Sequence, residues 1–155
     1  MANNNDVTVA QRFNDQVPHS KDLGMEVIAV GTDRVHMRLA PQPWFLSDDS
    51  AEEVCSSVLY SLADSAAGLA VFAVTRELSP IATLDLHMDY LRPADISRNL
   101  FTTACCRHLS DEVAFIYCEI FSEGEEQPVA TGSATFMRNT PGKRFKAVNT
   151  QEAGS

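Results

Sequence analysis

The sequence predicts an α+β domain in which an antiparallel sheet packs against one long helix. Two observations support this. Residues 55–75 form an apolar segment with a single charged residue, and the segments on both sides alternate apolar and polar residues as strands do. The order is strand, strand, long helix and four strands. A chain of 155 residues, 45% of them hydrophobic, is enough for one domain with a real core.

The region before the long helix contains a short helix and a pair of strands. Apolar residues recur at helical spacing over residues 9–16, and Pro18 is expected to stop that helix. Residues 25–39 then predict a strand, a turn at residues 31–33 and a second strand.

The region after the long helix is predicted to be β. Residues 83–90 alternate, so that one face packs and the other stays polar. Further strands are expected at 100–108, 113–121 and 129–137. In the strand at 83–90, the face expected to pack has Leu84, Leu86, Met88 and Tyr90. The polar face of the same strand has Thr83, Asp85, His87 and Asp89.

The two ends are polar and predict flexible segments at residues 1–7 and 140–155, leaving 8–139 as a single domain. Nothing at the N-terminus reads as a secretory signal, so we expect a cytoplasmic protein. The four cysteines lack Cys-x-x-Cys spacing, which predicts reduced thiols and no metal site. Twelve basic against twenty-one acidic residues, a net charge of -9, argue against a nucleic-acid partner.

The long helix is expected to be buried nearly all round. As a helix, residues 55–75 would span about 30 Å. A membrane span is disfavoured by several serines, a central aspartate and the lack of flanking basic residues. One stripe of the helix should grip the sheet: Val58, Leu62, Ala66, Leu69 and Ala73. The opposite side is small and mostly uncharged (Ser57, Asp64, Gly68, Val71), which predicts cover by a second subunit in a homodimer or homotetramer.

Asp64 is the charged residue of this helix, and it has two interpretations. It can be a structural aspartate that hydrogen-bonds a nearby serine. Alternatively, a partly desolvated carboxylate is a stronger base, and Asp64 would then act as a general base or a nucleophile.

Three runs of sequence resemble one family. Residues 58–68 (VLYSLADSAAG), 83–94 (TLDLHMDYLRPA) and 129–136 (VATGSATF) resemble the phenylacetate-degradation (PaaI-like) thioesterases of the hotdog superfamily. The resemblance implies a hotdog fold, in which an antiparallel sheet wraps around one central helix. It also implies hydrolysis of acyl-CoA thioesters at a site that spans a dimer interface, without a cofactor or a metal.

The resemblance assigns roles to individual residues. Asp64 matches the carboxylate that activates water or attacks the thioester carbonyl. Thr83 matches a hydroxyl that orients this water from the neighbouring subunit. The family's oxyanion hole uses a backbone N–H at the helix start, which corresponds to Ser56, and Ser57 can add a second. The sequence departs from the family here, because Cys55-Ser56-Ser57 stands where His-Gly-Gly is usual.

Three further residues are candidates for substrate binding, together with Cys55. Asp49 matches a position that is often asparagine in the family, although a solvated turn residue is the alternative. His87 can contact the ligand or be a surface histidine. Arg92 can meet a CoA phosphate or form a structural ion pair.

The start of the helix decides whether the oxyanion hole exists. Residues 50–53 (SAEE) fit a capping box that would start the helix near Ala51 and engage the amides of Ser56 and Ser57 inside it. In the family-like register the helix starts near Cys55 and leaves these amides free, and we favour this register.

Two other functions remain open at this point. The Cys55-Ser56-Ser57 replacement raises the alternative of a non-catalytic acyl-CoA-binding or regulatory hotdog protein. A hotdog hydratase is disfavoured, because that class pairs its aspartate with a histidine a few residues on and the next histidine here is His87.

Overall fold

The computed structural model describes residues 4–48 and 52–141. Its six strands form one antiparallel sheet in the order β1-β2-β4-β5-β6-β3. The strands are β1 (Met25–Val30), β2 (Arg34–Leu39), β3 (Ala82–Tyr90), β4 (Leu100–Leu109), β5 (Val113–Ser122) and β6 (Ala130–Met137). The helices are α1 (Asn4–Asp15), α2 (Pro18–Leu23) and α3 (Ser56–Thr75), with a short 3-10 turn at Pro43–Phe45.

Helix α3 packs along one face of the sheet, which confirms the predicted α+β architecture. The stripe that was expected to grip the sheet is buried throughout: Val58, Leu62, Ala66, Leu69 and Ala73. Within the described residues, α3 is the one helix long and apolar enough to cross a membrane, but most of it is buried inside this fold. It is therefore a core helix, and its apolar composition reflects protein packing.

The N-terminal region departs from the prediction in two ways. Helix α1 already begins at Asn4, whereas the sequence predicted a helix from residue 9. The Asp6 carboxylate also forms an ion pair of 3.0 Å with Arg76. Pro18 was expected only to stop the first helix, but it also begins α2. Its missing N–H loses no hydrogen bond there, because the first N–H groups of a helix have no partner within it. Gly24, at φ 77°, takes the left-handed conformation that ends α2.

The side of α3 away from the sheet is partly covered by the chain itself. Val71, expected under a second subunit, is 3% exposed within one protomer. It shares a small pocket with Phe13 of α1 and Leu78. The prediction was wrong at this position because it had not assigned α1 to this side of the helix.

Strand β3 lies at one edge of the sheet and contains a bulge. Its register with β6 shifts between Thr83 and Asp85, which leaves Leu84 as the extra residue. Leu84 is therefore 52% exposed, and the prediction that it shares the packed face was wrong. A bulge inverts the alternation of side chains, so Thr83 lies on the helix side together with Leu86.

Candidate active site

The bulge in β3 directs the Thr83 hydroxyl towards α3. Thr83 Oγ1 donates a hydrogen bond of 2.8 Å to Asp64 Oδ1 of the same chain. The resemblance had assigned the Thr83 hydroxyl to the neighbouring subunit's site, but here it contacts the aspartate of its own protomer. The Asp64 side chain also lines a cavity, so that water can reach the carboxylate.

Asp64 and Thr83 open into a cavity of about 210 Å³. The rest of the lining is mainly apolar and comes from α1, α2, α3 and the end of the β3–β6 pair where Thr83 lies opposite Phe136. The remaining lining residues are Phe13, Asn14, Val17, Ser20, Ser65, Gly68, Leu69, Ile81 and Phe136. A carboxylate and a hydroxyl at one side of an apolar cavity suit a ligand with a polar reacting group and an apolar body.

Helix α3 begins at Ser56, with Cys55 as its N-cap residue. Residues 53 and 54 form isolated β-bridges with Asp95 and Leu46, which keeps them outside the helix. The carbonyls of Glu52 and Glu53 accept hydrogen bonds from the amides of Ile96 and Ser47. Because the helix begins at Ser56, the amides of Ser56 and Ser57 lie in its first turn, and the family-like register is the one observed.

The Cys55 side chain lies against the first turn of α3. Its Sγ is 3.1 Å from Ser57 Oγ. Hydrogen bonds from the hydroxyl and the backbone N–H of Ser57 lower the pKa of the Cys55 thiol below its ordinary value of 9.0. Since the Ser57 amide faces this sulfur, the Ser56 amide is the better placed donor for a ligand oxygen.

Strand β3 runs antiparallel to α3. Three side-chain hydrogen bonds join the strand to the helix. Besides Thr83 on Asp64, the hydroxyl of Tyr60 donates to the Leu86 carbonyl at 3.3 Å, and that of Tyr90 donates to the Ser56 carbonyl at 3.4 Å. Ser56 and Asp64 therefore lie at different points along one straight element, about 12 Å apart at 1.5 Å per residue.

The other predicted contacts lie away from Asp64. His87 is on the outer face of β3, where its side chain is 68% exposed and its ring is 3.3 Å from Asp89. Arg92 donates to the Pro128 carbonyl at 3.0 Å and lies 4.0 Å from Glu125, which are structural contacts. Asp49 lies outside the described residues, as do residues 50 and 51 of the possible capping box.

Two side-chain hydrogen bonds near Asp64 could not be predicted from the sequence. His19 Nε2 lies 2.8 Å from Ser61 Oγ, and Ser20 Oγ lies 2.9 Å from Ser65 Oγ. Both join α2 to α3 beside Asp64. No periodicity or motif marked these residues, because the helix that carries them is only one and a half turns long. Among the described residues, no group of three His, Cys, Asp or Glu side chains could hold a metal ion.

Comparison with known protein families finds a match for the segment that contains this site. The model of the thioesterase superfamily matches residues 56–129, which span α3 through β5. This match to the thioesterase superfamily covers slightly less than half of the chain. The site residues Ser56, Asp64 and Thr83 all lie inside the matched segment, whereas α1 and α2 lie outside it.

Similar proteins cover most of the chain. A medium/long-chain acyl-CoA thioesterase, YigI of Escherichia coli K12, is 28% identical over 142 residues, which are 83% of this chain and 90% of that protein. The solved structure of PaaI from the E. coli phenylacetic acid degradation operon has a TM-score of 0.76 at 20% identity, covering 89% of this chain and 96% of that one. The solved structure of the N33D mutant of Thermus thermophilus PaaI has a TM-score of 0.68 at 28% identity. The likeness covers 78% of this chain and 98% of that one. These neighbours confirm the hotdog fold.

Proposed function

We propose that this protein hydrolyses acyl-CoA thioesters, with Asp64 as the catalytic carboxylate. The observation that carries the proposal is the Asp64–Thr83 pair at one side of an apolar cavity. The match of residues 56–129 to the thioesterase superfamily and the likeness to YigI support it. The four free cysteines agree with a cytoplasmic location, where thiols stay reduced.

Asp64 can act in either of two ways. As a general base, Oδ2 takes a proton from water while the water oxygen bonds to the thioester carbonyl carbon. The tetrahedral intermediate then expels CoA thiolate, which takes up the proton, and a carboxylic acid is left. As a nucleophile, Asp64 itself bonds to the carbonyl carbon and expels the thiolate, and water then cleaves the resulting anhydride. In both cases the hydrogen bond from the Thr83 hydroxyl to Oδ1 orients the carboxylate group of Asp64.

The oxyanion hole has to come from a second copy of the chain. A reacting carbonyl must be within about 3 Å of both the carboxylate and the N–H donor. Within one protomer Ser56 and Asp64 are about 12 Å apart along α3, so one thioester cannot reach both. We therefore assign the Ser56 amide, supported by the positive end of the α3 dipole, to the site whose Asp64 belongs to the partner.

The exposed edge of β3 supports such a dimer. An edge strand offers unpaired backbone groups to another strand. Leu84, Tyr90 and Leu91 are each about half exposed along this edge and its extension, as measured within one protomer. Pairing of two copies along β3 would cover these side chains, and it would bring the α3 N-terminus of each copy towards the Asp64 of the other.

A non-catalytic acyl-CoA-binding protein is the second candidate. It is favoured by the side chains of Cys55 and Ser57, which share a hydrogen bond at the helix start, where the family usually has His and glycine. A side chain here limits how closely a thioester approaches the backbone.

A panel of acyl-CoA thioesters of different chain lengths, assayed by release of free CoA thiol, separates the two candidates. We expect multiple turnovers with at least one acyl chain. If the panel binds without any release of CoA, the protein is a binding protein.

A further inference from the structure

The cavity beside Asp64 has one wall that lies outside the segment matched by the family model. Phe13 of α1, Ser20 of α2 and Val17, the N-cap residue of α2, contribute to its lining, whereas the match begins at residue 56. This wall is fixed to α3 by the His19–Ser61 and Ser20–Ser65 hydrogen bonds. The shape of the cavity therefore depends on this chain's own N-terminal helices.

The cavity narrows where α1 passes over Gly68. Phe13, Gly68 and Ile81 line the main cavity of about 210 Å³, and the same three residues also line a second space of about 10 Å³. The smaller space would hold about one water molecule. The three residues thus lie at the boundary between the two spaces.

Neither the backbone conformation nor the packing at position 68 requires a glycine. A Cβ atom at this position would lie 3.6 Å from Ile81 Cδ1 and 3.8 Å from Phe136 Cε1, which are ordinary van der Waals contacts. A glycine inside a helix costs about 1 kcal/mol relative to alanine. The fold would therefore accept alanine, and what the glycine provides is open space between α3, Ile81 and Phe136.

We propose that Phe13 and Gly68 set the length of the acyl chain that this cavity accepts. This rests on the proposed function, which makes the ligand an acyl-CoA with its carbonyl at Asp64. The lining beyond Asp64 and Thr83 is apolar at Leu69, Ile81 and Phe136, so an alkyl chain is the chemical group that fits. Gly68 lies one helical turn from Asp64, about 6 Å along the axis, and Phe13 closes the cavity at that depth.

The test uses two thioether analogues that cannot be hydrolysed, S-butyl-CoA and S-decyl-CoA, with binding measured by calorimetry. Phe13→Ala should join the two spaces and strengthen decyl relative to butyl binding by about tenfold or more, since each methylene contributes about 1–3 kcal/mol in a fitted pocket. Gly68→Ala should shift the same ratio in the opposite direction by about tenfold. Phe115→Ala, the same truncation on the outer face of β5, should leave the ratio unchanged.

Thermal unfolding accompanies each variant, and Gly68→Ala is expected to unfold no earlier than the parent. A decyl-to-butyl ratio that stays at the parental value in both Phe13→Ala and Gly68→Ala overturns the proposal. Failure of the parent to bind either thioether overturns it as well. The variants can show the expected shifts in thioether binding while no thioester releases CoA. That result would contradict the proposed hydrolysis but not the role of the cavity in binding the acyl chain.

Discussion

At the scale of single residues, the site depends on a hydrogen bond between two side chains that are 19 positions apart. The sequence predicted both participants, because Asp64 is the charged residue of an apolar helix and Thr83 begins a strand in a recognisable run. It did not predict that they share a protomer. The reason is the bulge at Leu84, since an extra residue in a strand leaves no trace in the alternation that sequence reading uses.

The first residue-scale prediction concerns Asp64. Asp64→Asn should lower kcat for the best thioester by about 10²–10⁴-fold, the usual contribution of a general base. The fold should persist, because the Thr83 hydroxyl can donate to the amide oxygen that replaces Oδ1. Thr83→Val should cost only about tenfold, as expected for one hydrogen bond to a charged group. Steady-state kinetics beside thermal unfolding measures both effects, and parental turnover in Asp64→Asn would make Asp64 structural.

The second residue-scale prediction concerns the thiols. Ser57 lowers the pKa of the Cys55 thiol, whereas burial raises that of Cys118 to about 12. The thiolate is the reactive form, so iodoacetamide at pH 8 should modify Cys55 much faster than Cys118. Peptide mapping by mass spectrometry gives the two rates, and both should become similar in denaturant. Equal rates in the folded protein would contradict both the burial of Cys118 and the lowered pKa of the Cys55 thiol.

At the scale of elements, the strands and α3 could be read from the sequence to within a few residues, because alternation and apolar composition are local properties. The start of α3 could not be read in the same way. The run at residues 50–53 satisfies a capping box, yet Glu53 pairs with Asp95 and Val54 with Leu46. Contacts between residues distant in sequence therefore decided where the helix begins. Helix α2 was missed because Pro18 signals a helix start as readily as a helix end.

The element-scale prediction tests the edge of β3. Leu84→Lys places a charge on the exposed edge and should shift the protein towards monomer, with loss of activity in proportion. Ile28→Lys is the matched control, since Ile28 is 47% exposed on β1, the opposite edge strand. Multi-angle light scattering at micromolar concentration reports the assembly. If Leu84→Lys keeps the parental mass, or Ile28→Lys dissociates equally, β3 is not the dimer edge.

At the scale of the whole molecule, the separation of Ser56 from Asp64 means that the proposed mechanism requires a site composed of two chains. Ser56→Pro removes the backbone N–H, and the fold should tolerate it because proline is favoured at the first position of a helix. Cys55, at φ −55° and ψ 133°, already has the extended conformation that a residue before proline needs. The carboxylate and the amide can therefore be removed separately, without disturbing α3.

The final prediction is complementation between these two defects. Asp64→Asn and Ser56→Pro should each be nearly inactive alone. After they are mixed in equal amounts, unfolded and refolded together, random pairing should make half of the dimers mixed, and each mixed dimer has one intact site out of two. Activity should then recover to about one quarter of the parental value per chain. Refolding each variant by itself is the control. No recovery in the mixture, with dimers present by light scattering, would mean that the carboxylate and the amide of one site come from the same chain.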